Sequence, residues 1–143
     1  MTHFVQSPSD MGYRLGRLDF APDRDGRYRI NDLFCSNDAW KPTFQQLIGT
    51  SSAILIDLRG YGLQHVGVTY EIQQLATLAR LNRVVAITDE TTSMDALHQA
   101  IAPVQGYARE RIDLRELKLF HVRRRGLDAE RLFKLLCRTA TQC

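Results

Sequence analysis

Two uninterrupted apolar runs, AILIDL (53–58) and RVVAIT (83–88), constrain this chain most. Neither has room for a helical period, and runs of this length bounded by turn signals belong to strands covered on both faces. Between them Val68, Ile72, Leu75 and Ala79 recur at helical spacing, from about Gly67 to Leu81. A third run, LKLFHV (117–122), follows another helical pattern, DETTSMDALHQAI, in which Thr92 or Ser93 caps Met94, Leu97 and Ile101 and Pro103 ends the helix.

On either side the same grammar continues. Asn37 or Asp38 caps a helix carrying Trp40, Phe44, Leu47 and Ile48, with Pro42 in its first turn and Gly49 and TSS after its end. LDAERLFKLLCRT closes the chain as a helix with Leu132, Phe133 and Leu136 turned inward. Helix and strand alternate, so the strands are parallel, their crossovers right-handed, and the fold an α/β three-layer sandwich: a small, mainly parallel sheet with helices on both faces, flavodoxin- or TIR-like.

Residues 1–30 are polar and turn-rich; one weak strand is expected at YRLGRLDF or at RYRI. They read as an N-terminal extension to a single α/β domain over 31–143. At 143 residues and 44% hydrophobic composition the chain suits one domain with a real core. There is no internal repeat and no low-complexity tract.

No apolar run reaches the roughly 18 to 20 residues of a membrane span, and MTHFVQSPSDMGYR lacks the apolar centre of a secretory signal, so the expected location is the cytoplasm. Cys35, Cys137 and Cys143 form no CxxC, and His3, His65, His98 and His121 are scattered, so neither a disulfide framework nor a metal site is expected. No cofactor is expected either: the glycines are not a GxGxxG in register and there is no GKS/T ending; GxSxG is absent too, which removes the usual hydrolase reading.

Charge is uneven. The segment 107–143 holds ten Lys/Arg against five Asp/Glu, whereas 31–106 holds four against seven. A basic end of this kind suits an anion, a nucleic acid, an acidic membrane surface or simply a solvated helix face. Exposed aromatics interleaved with the basic residues are missing, with only Tyr107 and Phe120 nearby, so no nucleic-acid partner is expected.

Ligands of open parallel sheets bind outside the carboxyl ends of the strands. Asp57 and Arg59 stand at one such end, Asp89 at the next, and Arg123, with Arg124 and Arg125, after the third. Gly60, Gly62 and Gly67 allow close backbone approach. Arg59 pairs with Asp57 or Glu71 or else holds a ligand phosphate or carboxylate, and Tyr61, Tyr70 or Trp40 can line or stack at the rim. Glu71, on the wheel, borders the buried stripe in what reads as the first helical turn. There it serves as nucleophile or general base, or only complements the helix dipole.

The stretch AILIDLRGYGLQHVGVTYEIQQLATLARLNRVVAIT resembles the core of the nucleoside deoxyribosyltransferase-like group. There a strand ends in Asp and Gly-x-x-x-Glu opens the next helix. With SNDAW and TSSAILIDL it is also similar to Toll/interleukin-1 receptor-like (TIR) domains, and CSNDAW with DLRGYG resembles a cytosolic domain of uncharacterised bacterial proteins, some with membrane spans elsewhere. The resemblance implies that Glu71 acts at an anomeric carbon with Asp57 beside base or sugar. Because EIQQLA replaces the family's Glu-x-Gly-x-Ala, the expected function is a nucleotide-binding sensory or interaction domain. N-glycosidic cleavage of a nucleoside or NAD through Glu71 is the alternative. A nucleotide or nucleoside ligand is the expected partner; a homo-oligomer and a membrane-anchored remainder of a longer protein stay open.

Overall fold

The computed structural model describes residues 2–28, 30–78, 81–105, 112–123 and 126–141, and is α/β throughout. Two compact units, Met1–Gly49 and Thr50–Cys143, each enclose a small parallel sheet. The division lies between Gly49 and Thr50, at the last residue of the first long helix.

In the first unit β1 (Thr2–Val5) pairs in parallel with β2 (Asp32–Cys35), His3 opposite Leu33 and Phe4 opposite Phe34. Between them lies α1 (Pro8–Leu15). This corrects the strand expected at YRLGRLDF: Pro8 at the first helical position presets φ, and Asp10 and Arg14, one turn apart, pair at 3.0 Å. Of RYRI, Tyr28 makes only an isolated antiparallel bridge to Pro22, and Arg29 lies outside the described residues.

Helix α2 (Trp40–Thr50) completes this unit. Neither Asn37 nor Asp38 caps it; Ala39 holds the cap position, and the Asp38 carboxylate accepts the Ser36 hydroxyl at 2.5 Å instead. Gly49 and Thr50 lie inside the helix. Thr43 on α2 is 2% exposed and its hydroxyl has no hydrogen-bond partner. Valine has the same shape without the hydroxyl, so Thr43→Val is expected to stabilise the protein by about 1 kcal/mol. A urea denaturation midpoint that moves up checks it, and one that moves down shows the hydroxyl to be bonded.

In the second unit the strand order is β3 (Ile54–Asp57), β4 (Val84–Thr88), β5 (Lys118–His121). Ile56 stands opposite Ala86, and Ile87 opposite Phe120. Helices α3 (Val66–Thr77) and α4 (Met94–Gln105) connect them, and α5 (Ala129–Thr141) follows. Two successive right-handed crossovers moving in one direction put α3 and α4 on the same face, where they pack together. Helix α5 covers the other face, its Leu132 clustering with Val85, Ile87 and Phe120, and Leu135 and Leu136 packing beside them.

Only β4, central in the sheet, is buried on both faces. AILIDL is therefore less enclosed than its composition suggests: β3 is an edge strand of its sheet, and Leu55 is 44% exposed. Two helix ends also differ from expectation. Pro103 sits within α4, which runs on to Gln105, because a proline in the last turn forfeits one hydrogen bond without blocking the residues after it. Ser93 is the cap that α4 uses, its hydroxyl oxygen accepting the Ala96 N–H at 3.1 Å. Phe133 points outward at 66% exposure, since Leu132 and Leu136 already define the inward stripe of α5 and Phe133 lies about 100° away from Leu132. Helix α3 ends at Thr77; Ala79 lies outside the described residues, and Leu81 is buried in a 3-10 turn.

Candidate functional site

The carboxyl ends of β3 and β4 run into two loops that lock onto each other. Leu58 donates its N–H to the Ile87 carbonyl at 2.8 Å, extending the ladder by one bond. The Thr92 hydroxyl donates to the Leu58 carbonyl at 2.8 Å and accepts the Asp89 N–H at 3.0 Å. Ser93 N–H reaches the Tyr61 carbonyl at 3.0 Å. Gly60 carries φ +70°, the left-handed conformation that turns the chain here, and its N–H donates to Asp89.

The polar side chains of these loops are largely spent on one another. Arg59 forks onto Asp57 through Nε at 2.9 Å and Nη2 at 2.5 Å. This pair holds the Asp57 carboxyl below the usual carboxylate range, while the nearby Asp89 charge opposes the shift. Asp89 Oδ1 accepts the Thr91 hydroxyl at 2.7 Å and the Thr91 N–H at 2.9 Å, and the Thr91 bond is the main reason its pKa is also lowered. Two carboxylates against one guanidinium leave this crevice without positive charge for an anion. Tyr61 is 3% exposed and shares its hydroxyl with Thr69 at 2.9 Å, so its ring is packing, not rim. Gly67 lies in the first turn of α3 in open surroundings, where a Cβ would meet nothing within 4 Å.

Glu71 is elsewhere. With Val66 as the first residue of α3 it stands in the second turn, beyond the reach of the helix N-terminus, which corrects its expected first-turn place. Gln73, two positions on and about 200° round the helix, donates to the Ala100 carbonyl of α4 at 2.9 Å, so Glu71 is on the flank of α3 away from α4. Asp57 is in register with Ile87, and Leu55 with Val85, on the face that α5 covers. Helix α3 lies on the other face. Asp57 and Glu71 thus leave the sheet on opposite sides and do not converge.

Glu71 is half-buried and has no hydrogen-bond or ion-pair partner among the described residues. Burial alone pushes its carboxyl up. An acid whose folded pKa is raised adds stability that is full below its unfolded value, near 4.5, and lost as pH rises through the higher folded value. Glu71→Gln, which cannot ionise, is therefore expected to raise the melting temperature at pH 7 to 8 and to leave it unchanged near pH 4. Equal shifts at both pH values would refute that account.

Arg123, the remaining sequence candidate, sits in a different place. It bridges Gly126 after β5 and lines a groove of about 910 Å³ between the open edge of β5 and α5, together with Leu119, Arg131, Lys134, Leu135 and Arg138. Arg124 and Arg125 lie outside the described residues, as do Tyr107 and Cys143. The α5 members went unnoticed in the sequence, although Arg131, Lys134 and Arg138 at one- and two-turn spacing were a readable signal. Among the described residues no cluster of His, Cys, Asp or Glu is built to hold a metal, and no helix is long and apolar enough to cross a membrane. Comparison with family models, with curated proteins and with solved structures gives no match to this chain.

Proposed function

We propose that this chain is a nucleotide-binding sensory or interaction domain rather than a glycosidic-bond enzyme. One observation carries the reading: Glu71, to which the deoxyribosyltransferase- and TIR-like resemblance gives the acting role, and Asp57, its possible partner beside base or sugar, lie on opposite faces of the sheet, and Asp57 is held by Arg59. A carboxylate in a bidentate pair with arginine is a poor base or nucleophile. What supports a nucleotide as ligand is the basic groove between β5 and α5, whose arginines suit phosphate oxygens.

Cleavage of an N-glycosidic bond through Glu71 is the second reading, favoured by a half-buried carboxyl of raised pKa with no partner. Incubation of wild type and Glu71→Gln with NAD and a panel of nucleosides, following free base by chromatography, separates the two. No base release from either protein, with thermal stabilisation by nucleotides, is the expected result. Release by the wild type alone would replace the binding reading with the enzymatic one.

A further inference from the structure

We propose that the groove between the open edge of β5 and α5 binds a chain of phosphoryl groups, such as the triphosphate of a nucleotide; the nucleotide part of this assignment rests on the function proposed above. Four cationic side chains line the groove, Arg123, Arg131, Lys134 and Arg138, against the single carboxylate of Asp128. That carboxylate already caps α5, accepting the Arg131 N–H at 3.0 Å. Lys134 is paired with Glu130 at 2.5 Å, so the positive field is set chiefly by the three arginines, and the lining acid is tied to the helix end.

The arginines here are also differently employed from others in the chain. Arg14, Arg59 and Arg115 are each drawn onto an aspartate two or four residues away. In the groove Arg131 lies over the Phe120 ring, 5.8 Å from its centroid, and neither it nor Arg123 nor Arg138 has an acidic partner among the described residues. A guanidinium held through its plane keeps its in-plane N–H donors free, the geometry that grips phosphate oxygens.

Spacing sets the class of ligand. Arg131, Lys134 and Arg138 stand one per turn along one flank of α5, a row about 10 Å long by helical rise. A single phosphate gripped by one arginine leaves the other arginines uncompensated. A chain of phosphates meets them in turn. Leu119, 48% exposed, and Leu135 give the same groove an apolar stretch on which a base or sugar can rest.

The test is calorimetric titration of the full chain with AMP, ATP and inorganic tripolyphosphate, repeated for Arg131→Gln/Arg138→Gln. Arg115→Gln serves as a control outside the groove, with thermal unfolding of each variant recorded. ATP is expected to bind at least about tenfold more tightly than AMP, and the double variant to lose at least about tenfold in ATP affinity while unfolding like wild type. If tripolyphosphate binds as tightly as ATP and AMP not at all, the groove assignment holds and the nucleotide reading falls. If AMP and ATP bind equally and the double variant is unaffected, the groove assignment falls and the nucleotide reading stands. Failure of all three probes to bind wild type overturns the groove.

Discussion

Leu97→Ala is expected to destabilise the protein by about 3 to 4 kcal/mol, within the range found for leucine truncation in tight cores. Leu97 is 1% exposed on α4, where Ala96, Ala100 and Ile101 share its buried face and Ile72, Leu75 and Ala76 are the buried members of the neighbouring α3. Alanines at the contact bring the two helices close, and the Gln73 side chain bonded to the Ala100 carbonyl at 2.9 Å ties them at that separation. The helices therefore have little freedom to close on the space a truncated leucine leaves. Cavity cost is added to lost transfer energy, and the melting temperature should fall by roughly 6 to 16 °C at about 2 to 4 °C per kcal/mol for a chain of about 150 residues. Urea denaturation with an unchanged slope and a lowered midpoint is the expected trace. Leu119→Ala, at a site 48% exposed, should cost well under half as much. Equal losses at the two positions would mean that the α3–α4 layer is not the rigid half of this unit.

The same burial pattern explains what was legible in the sequence. AILIDL, RVVAIT and LKLFHV became β3, β4 and β5 because a strand in a parallel sheet needs an apolar run, and such a run has few other uses in a chain of this composition. The helices between them were readable from period, and Ser93 from capping chemistry. In the first unit α2 was readable from period, but β1, α1 and β2 were not. In β1 and β2 the exposed members are Phe4 and Phe34, whereas His3 and Val5 are buried, so a reading that sends aromatics inward inverts both strands. A four-residue strand offers two positions per face, too few for period to outvote residue type. The site was half legible for a related reason. Sequence placed Asp57, Asp89 and Arg123 at strand ends, but which side of the sheet a residue leaves depends on register, and Asp57 and Glu71 separated on that point alone.

Thr92→Val should cost about 1 kcal/mol and loosen the paired loops at the carboxyl ends of β3 and β4. The Thr92 hydroxyl donates across to the Leu58 carbonyl of one loop at 2.8 Å and accepts the Asp89 N–H of its own at 3.0 Å. Valine fills the same space but leaves the Asp89 N–H without its acceptor in a half-buried setting, worth about 1 kcal/mol at the low end of the range for such groups, while the Leu58 carbonyl keeps the Tyr61 N–H at 3.0 Å. Thr92→Ser retains the hydroxyl and should recover most of the loss, which separates the hydrogen bonds from packing of the methyl group. The functional consequence is positional. Asp57, Arg59 and Gly60 ride on one loop and Asp89 on the other, and with the tether cut the Gly60 N–H no longer holds Asp89, so the depressed carboxyl pKa of Asp89 should relax upward. Asp89 adds stability that is present above its unfolded pKa near 3.8 and lost as pH falls through the lower folded value. The gap between wild type and Thr92→Val should therefore be widest near neutral pH and narrow in acid to the pH-independent part left by the lost backbone hydrogen bond. Amide exchange at Asp89 and Thr92 should accelerate in the valine variant while the β4 amides stay protected. If instead β4 exchanged faster as well, the hydroxyl would be holding the sheet itself, and the two loops would not be a separable unit.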